Sequence, residues 1–320
     1  MRYRRKYTNK YLSISVDTNS SRVYKLVDNF LDFKKSRDSG PRIKMDFRVD
    51  EISDKRPDVN DGPIHRSRIG RDGALLSSGD NRIATVVIDP GRGMVRGTVL
   101  NFQEPYKEYI LDFLLMQPLR RILARHRLFF LHVSAVCKDG DCILISGPQN
   151  SGKSTLALTL ARNRFDLLTD DDCFIRSAKR GIRLFPFPTK MGLNDAAVKR
   201  YPELHKYALK DYRYGGKRRL SLGSFYPKAD RTEDYRCKMV IFPKYKAHAE
   251  TAIKKIPGKG ALDRLFYNDL TSYTRADIEN MFWALYNITQ DAGYFELTYN
   301  DAGLDKIPGI VHKAFMKVPR

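Results

Sequence analysis

The first hundred residues show alternating hydrophobic and polar positions, whereas helical spacing becomes prominent further along the chain. Alternation predicts strands at Tyr11–Val16, Met45–Val49, Arg82–Ile88 and Met94–Leu100. From Glu104 to Arg127 apolar residues recur on one side of a helix, and Pro118 predicts its division into two helices, because proline suits a first turn better than an interior. The pattern predicts a β-rich accessory region at 1–103 and an α/β domain at 104–320.

The middle of the chain predicts a hairpin. The apolar runs Leu128–Val136 and Asp141–Ser146 are joined by residues 138–140, whose Asp-Gly pair is typical of a tight turn between antiparallel strands. The patterns beyond it predict three strands and two helices, at Phe165–Thr169, Lys238–Phe242, Tyr294–Tyr299, Arg275–Ile288 and Ile310–Met316. An antiparallel hairpin among such elements predicts a mixed sheet.

A glycine-rich motif follows the hairpin, before the helical run Leu156–Ala161. It consists of Gly147, Pro148, Gln149, Asn150, Ser151, Gly152, Lys153, Ser154 and Thr155, and it fits the pattern G-x-x-x-x-G-K-[ST]. Its glycines let successive backbone N–H groups turn toward phosphate oxygens at the start of a helix. Lys153 is predicted to contact the β- and γ-phosphates of ATP, and the Ser154 hydroxyl to ligate Mg²⁺. The motif predicts a P-loop that binds ATP.

Three consecutive carboxylates, Asp170, Asp171 and Asp172, follow the strand predicted after the P-loop helix. Only sixteen residues separate Lys153 from Asp170, so a single helix is expected to return the chain to an adjacent strand and to bring these carboxylates beside the phosphates. Phosphoryl transfer to a hydroxyl uses a carboxylate that accepts the proton of the acceptor. Asp170 is our candidate base, and Asp171 is our candidate Mg²⁺ ligand beside Ser154.

The order of these features resembles a known family. Phe130–Val136, the hairpin, the P-loop and Leu167–Asp171 are similar to the catalytic domain of HPr serine kinase/phosphorylase, which shares a core with ATP-dependent phosphoenolpyruvate carboxykinase. The resemblance, to a divergent member, spans roughly residues 110–195 and implies an α/β P-loop kinase core with a mixed sheet. It matches His132 to the family's active-site histidine, near phosphate, metal or acceptor, and Asp170 and Asp171 to its paired acidic residues.

A basic stretch follows at residues 199–246. Within it, Lys217, Arg218 and Arg219 are expected either to neutralise charge on the transition state or to grip an acidic acceptor, or else to form a solvated loop. Tyrosines interleave with the basic residues, a combination that also occurs in proteins that bind single-stranded nucleic acid. No recognised RNA-binding motif accompanies them, so nucleic acid is not the favoured partner.

Composition narrows the cellular setting. The chain has 320 residues, of which 42% are hydrophobic, and a formal net charge of +21, which favours anionic partners. Its four cysteines form no C-x-x-C pair, so neither a disulfide framework nor a zinc site is predicted. No signal peptide or membrane span is evident, and a cytoplasmic protein is expected. Homo-oligomerisation stays open.

These observations predict an ATP-dependent kinase that transfers the γ-phosphate to a hydroxyl, with serine in a protein or peptide as the favoured acceptor. Lys153, Asp170 and His132 are the predicted catalytic residues, and ATP and Mg²⁺ the predicted cofactors. Two alternatives stay open: a small-molecule kinase on the same core, and a non-catalytic ATP-binding protein that holds an acidic or nucleic-acid partner.

Overall fold

The structure is a computed structural model that describes residues 1–9, 11–33, 43–52, 66–69, 75–78, 83–100, 102–148, 150–178, 181–214, 217–221, 234–265 and 275–319; of residues 66–69, 75–78 and 208–214 it describes the backbone only. The chain divides into two compact units, Met1–Leu128 with Leu270–Asp277, and Phe129–Asp269 with Ile278–Arg320. Residues 104–128, which were predicted to belong to the α/β domain, thus lie in the first compact unit. The functional boundary after residue 103 stays a prediction.

The first unit contains a seven-stranded sheet in the order β1-β2-β3-β7-β6-β5-β4. Its strands are β1 Tyr3–Thr8, β2 Leu12–Thr18, β3 Ile43–Glu51, β4 Arg66–Ile69, β5 Leu75–Ser78, β6 Ala84–Asp89 and β7 Met94–Val99. The N-terminal β-rich region is thus confirmed. Helix α1, Ser21–Phe30, was not predicted, although Ser20 caps it and Val23, Val27 and Phe30 are buried at helical spacing.

The helical segment from Glu104 to Arg125 is continuous, and the predicted division at Pro118 is wrong. It begins as a 3-10 turn at Glu104–Tyr106 and continues through α2, Lys107–Leu111, a π-helical segment at Asp112–Met116, and α3, Gln117–Arg125. Residues on both sides of each junction keep right-handed helical backbone angles. The wider π turn lies immediately before the turn containing Pro118, so the missing N–H and the ring of proline are accommodated without ending the helix.

The second unit is built on a nine-stranded mixed sheet in which seven strands follow the order β11-β9-β10-β17-β13-β12-β8, while β19 pairs with β17 and β18. Its strands are β8 Phe129–Leu131, β9 Ser134–Lys138, β10 Asp141–Ile145, β11 Asp166–Thr169, β12 Cys173–Ser177, β13 Ile182–Pro186, β17 Tyr235–Tyr245, β18 Ala252–Lys255 and β19 Gly293–Tyr299. A three-stranded sheet contains β14 Met191–Leu193, β15 Ala208–Tyr214 and β16 Lys217–Leu220. The α/β class with a mixed sheet is confirmed.

The remaining helices are α4 Lys153–Ala161, α5 Asp195–Arg200, α6 Gly258–Leu265, α7 Arg275–Asp291 and α8 Ile307–Lys317, with 3-10 turns at Pro202–Tyr207 and Asp301–Lys306. Apolar residues of α4, α8 and the strands form one core beside the nine-stranded sheet. Within the described ranges, no helix is sufficiently long and apolar to cross a membrane.

The predicted hairpin is present, and β10 has one antiparallel and one parallel neighbour. Strands β9 and β10 pair antiparallel, and their turn has positive φ at both Asp139 and Gly140, as a type I′ hairpin turn requires. On its other side β10 pairs in parallel with β17. Strand β9 lies between β10 and β11, so the strand that ends at Thr169 is not adjacent to β10, contrary to the prediction.

The predicted continuous strand at Leu128–Val136 is broken in the structure. Leu131, at the end of β8, pairs with Cys173 on β12, whereas Ser134, at the start of β9, pairs with Ile145 on β10. His132 lies in the break between these strands and is exposed, so its predicted place within an apolar strand is wrong. The two halves of one apolar run join different parts of the sheet, which frees the His132 side chain from the core.

Candidate functional site

The glycine-rich motif forms the connection between β10 and α4. The strand ends at Ile145 and the helix begins at Lys153, so the predicted order of strand, loop and helix is present. Asn150 and Gly152 both have positive φ, and a Cβ added to Gly152 would overlap the hydroxyl of Tyr299. The backbone therefore turns sharply just before the helix, at a position where only glycine fits. Gln149 lies outside the described residues.

Lys153 reaches back over the loop that precedes it. Its Nζ donates hydrogen bonds to the carbonyl oxygens of Gly147, at 3.0 Å, and Pro148, at 3.1 Å. Burial lowers the pKa of the ammonium, and the nearby charges of Asp171 and Asp170 act in the opposite direction. The structure thus brings Lys153 and the acidic run into one electrostatic environment.

Asp170 is a buried carboxylate that accepts a hydrogen bond from a serine hydroxyl. The Ser134 Oγ donates a hydrogen bond of 2.6 Å to its Oδ1, and the nearby Ser154 hydroxyl also acts to lower its pKa. Burial first, and then the negative charge of Asp171, raise the pKa of Asp170 to about 6, although both hydroxyl groups act to lower it. The Oδ2 atom is buried and has no hydrogen-bond partner within the described part of the chain.

Asp171 lies among positive charges. It has a φ of 70°, its Oδ1 lies 3.5 Å from Nε2 of His132, and its Oδ2 lies 3.6 Å from Nζ of Lys217. Burial by itself would raise the pKa of Asp171, but His132, Lys217, Arg219 and Lys153 together hold it below the usual value. Asp171 is therefore the carboxylate that stays ionised, while its neighbour Asp170 titrates closer to neutral pH.

Asp172, the third carboxylate of the run, has a different role in the structure. Its backbone carbonyl oxygen accepts a hydrogen bond of 2.6 Å from the Thr169 hydroxyl, and it also accepts the backbone N–H of Phe187 at 3.3 Å. These bonds close the turn that carries the two carboxylates before it. Asp170 and Asp171 thus lie in a turn that these hydrogen bonds fix.

The basic cluster divides between the two faces of β16. Lys217 lies beside Asp171, and Arg219, two residues further on, is buried and adds its positive charge to the same carboxylate. The Nη1 of Arg219 donates a 2.8 Å hydrogen bond to the carbonyl oxygen of Lys190. Arg218 instead pairs with Asp195 at 3.1 Å. Because alternate side chains of a strand point to opposite faces, Lys217 and Arg219 lie on the side of Asp171 and Arg218 lies on the other.

The tyrosines of the basic stretch do not form an exposed series in the described residues. Tyr201 is buried and its hydroxyl lies 2.9 Å from the Thr159 hydroxyl, and Tyr235 is also buried. Tyr245 is half exposed, but its hydroxyl donates to Asp301 and its ring contacts Tyr299. These three rings therefore support the fold, which weakens the alternative of stacking on nucleic-acid bases.

A divalent cation would find hard oxygen donors at this site, but too few for a cage made of protein alone. No group of three or more His, Cys, Asp and Glu side chains suitable for a metal occurs among the described residues. The ionised Asp171 and the Ser154 hydroxyl are the type of donor that Mg²⁺ prefers. Such a donor set fits Mg²⁺ that shares its ligands with substrate phosphates.

Two residues beside this site were not predicted. Ser134 bonds to Asp170, and Tyr299, at the end of β19, packs on the α-carbon of Gly152. A serine in an apolar strand and a tyrosine in another carry no spacing that relates them to the glycine-rich motif. Their proximity results from the pairing of distant strands.

Comparisons with known proteins add little. No protein-family model matches the chain. No curated protein matches it either. Among solved structures, the Hpr(Ser) kinase/phosphatase from Coxiella burnetii aligns with 59% of this chain and 97% of its own, at 11% sequence identity and a TM-score of 0.32. A likeness this weak carries no weight for fold or function.

Proposed function

We propose that this chain is an ATP-dependent kinase that transfers the γ-phosphate to a hydroxyl group, with serine in a protein or peptide as the acceptor. One observation carries the proposal: a lysine at the start of a helix, a buried carboxylate of raised pKa and an ionised carboxylate share one site. They are Lys153, Asp170 and Asp171. Phosphoryl transfer needs these three functions, namely phosphate binding, proton acceptance and metal binding.

The phosphate-binding part consists of the loop 147–155 and the first turn of α4. No side chain caps this helix at Gly152, so its first backbone N–H groups are available to an anion, and the helix dipole favours negative charge there. Lys153 adds a positive charge, and it would exchange the carbonyl oxygens of Gly147 and Pro148 for phosphate oxygens. This part supports binding of a nucleotide polyphosphate.

Asp170 is the proposed general base. A base works best when its pKa lies near the working pH, and burial together with Asp171 raises the pKa of Asp170 to about 6. Its unpartnered Oδ2 is available to accept the proton of an acceptor hydroxyl. The ionised Asp171 and the Ser154 hydroxyl would hold Mg²⁺, which neutralises phosphate charge when bound.

Three further basic side chains surround the acidic pair. Lys217 and Arg219 would stabilise negative charge on the transferring phosphoryl group, and His132 would keep Asp171 ionised and oriented. Because Arg219 is buried and fixed by the carbonyl oxygen of Lys190, it would need no rearrangement during transfer. These contacts favour a catalytic site over a site that only binds ATP.

Incubation of the protein with γ-labelled ATP, Mg²⁺ and cell extract tests the proposal. We expect label in a protein or peptide, released as phosphoserine on acid hydrolysis, and much slower labelling with the Asp170→Asn variant. Label in a small metabolite would favour the small-molecule kinase instead. ATP binding without label in any fraction would contradict the kinase and favour the non-catalytic alternative.

A further inference from the structure

Ser134 connects the two parts of the site through the sheet. It is the first residue of β9 and pairs with Ile145, the last residue of the strand that leads into the glycine-rich loop. Its neighbour Ala135 pairs with Thr169, the last residue before the acidic run. Ser134 thus lies at the point where β9 separates the ends of β10 and β11, and its side chain is inaccessible to solvent.

The contact between Ser134 and Asp170 fixes one oxygen of the carboxylate. A serine hydroxyl has a single proton to donate, and that of Ser134 goes to Oδ1 at 2.6 Å. Oδ2 remains buried and unpartnered among the described residues. A buried acceptor without a donor is costly, which favours a donor supplied by a substrate.

We propose that Ser134 is a positioning residue for phosphoryl transfer: its hydroxyl holds Oδ1 of Asp170 and so presents Oδ2 to the hydroxyl of the acceptor. The inference rests on the proposed kinase function and adds to it which oxygen accepts the proton and which residue orients it. The acceptor oxygen forms a bond to phosphorus while its proton passes to Oδ2, and the bond from phosphorus to the bridging oxygen of the departing diphosphate breaks. Asp170 then returns the proton to water.

A carboxylate that is free to rotate would present Oδ2 in many directions, and proton transfer depends on alignment. Ser134→Ala removes the hydrogen bond without adding bulk, so we expect kcat to fall roughly 10- to 100-fold, as for a small misplacement of a reacting group. The KM for Mg·ATP should stay within about twofold, because the Ser134 hydroxyl donates to Asp170 and not to the loop that would bind phosphate. Ser134→Thr keeps a hydroxyl and should recover most of the loss.

A double-mutant cycle distinguishes positioning from a merely structural role. In the Asp170→Asn background, Ser134→Ala should cost about twofold or less, because the group that it positions is already absent. Val136 lies two residues after Ser134, on the same face of β9. Val136→Ala removes buried apolar volume without removing a hydroxyl. It should lower the midpoint of thermal unfolding but leave kcat unchanged.

The outcomes separate this inference from the function on which it rests. An active wild type together with a Ser134→Ala variant of wild-type kcat would overturn the inference alone. Equal losses from Ser134→Ala in the wild-type and Asp170→Asn backgrounds would also overturn it, since the serine would then act independently of the carboxylate. A wild type that transfers no phosphate to any acceptor would overturn the proposed function and this inference with it.

Discussion

Asp170 and Asp171 adjoin in the chain, yet their surroundings shift their pKa values in opposite directions. Burial and the charge of Asp171 raise the pKa of Asp170 to about 6, whereas the positive side chains around Asp171 lower its pKa. A pair of titratable groups pushed apart in this way is characteristic of acid–base sites. The separate environments of the two residues are the basis for assigning them separate roles.

Replacement of each carboxylate by its amide tests this division of roles. Asp170→Asn should keep Mg·ATP bound but slow transfer by roughly 10²–10⁴-fold, which is typical for removal of a general base. Asp171→Asn should instead raise the Mg²⁺ concentration needed for half-maximal rate. Steady-state rates across a Mg²⁺ titration measure both effects. If the two variants exchanged these behaviours, the roles would be reversed.

The raised pKa of Asp170 also predicts how stability depends on pH. Its folded value of about 6 lies above an unfolded value of about 3.9, so folding favours the protonated form. The stability that protonated Asp170 contributes to the folded state is fully present below about pH 4 and is lost as pH rises through about 6. Asp170→Asn cannot ionise, so at pH 7 it should be more stable than the wild type, by on the order of 3 kcal/mol.

Urea unfolding at several pH values between about 4 and 7 measures this difference. The two free energies of unfolding should converge toward the acidic end of the range, where wild-type Asp170 is protonated. A variant that is slower in transfer but more stable at neutral pH would indicate that the site retains Asp170 at a cost in stability. An equal or lower stability of Asp170→Asn at pH 7 would show that the carboxylate is not destabilised by its burial.

Gly152 is required both by its backbone angle and by the contact with Tyr299. Gly152→Ala should destabilise the protein by more than the roughly 1–2 kcal/mol of a left-handed alanine, because its Cβ would also overlap the tyrosine hydroxyl. Gly140→Ala is the matched control: it also has positive φ, but nothing lies within 4 Å of its Cβ. Adding Tyr299→Phe to Gly152→Ala should restore part of the stability, and chemical denaturation measures each step.

At the scale of single elements, β16 distributes three consecutive cations between its two faces. Lys217→Ala should reduce transfer strongly because it removes a positive charge 3.6 Å from Asp171. Arg218→Ala should leave transfer near the wild-type rate, since Arg218 pairs with Asp195 instead. Rates measured at fixed Mg·ATP compare the two variants directly. Similar losses from both would show that the strand contributes only general positive charge.

Elements defined by local sequence were predictable, and those that depend on distant partners were not. Asp139-Gly140 determines its own hairpin because both residues tolerate positive φ. The break at His132 has no local signal. It arises because Leu131, before it, pairs with Cys173, whereas Ser134, after it, pairs with Ile145 on a different strand. The helix through Pro118 likewise continues by means of a π turn, which the proline rule does not anticipate.

At the scale of the whole molecule, the site draws on segments that are far apart in sequence. The motif around Lys153 and the acidic run at Asp170 could be read from spacing alone, because a single helix separates them. Ser134 and Tyr299 could not, because each reaches the site through strand pairing rather than through a local pattern. Sequence thus identified the charged groups, and tertiary structure identified Ser134 and Tyr299 as their neighbours.

The central claim is that the loop at 147–155 binds the phosphates of ATP for transfer, and calorimetric titration of the Lys153→Ala variant with Mg·ATP tests it most directly. Lys199→Ala, which removes an exposed lysine of α5, is the control for the loss of one positive charge. We expect the Kd for Mg·ATP to rise at least about tenfold in Lys153→Ala, as loss of a charge-assisted contact to phosphate implies, and to stay unchanged in Lys199→Ala. An unchanged Kd in both variants, with wild-type thermal stability, would contradict the account.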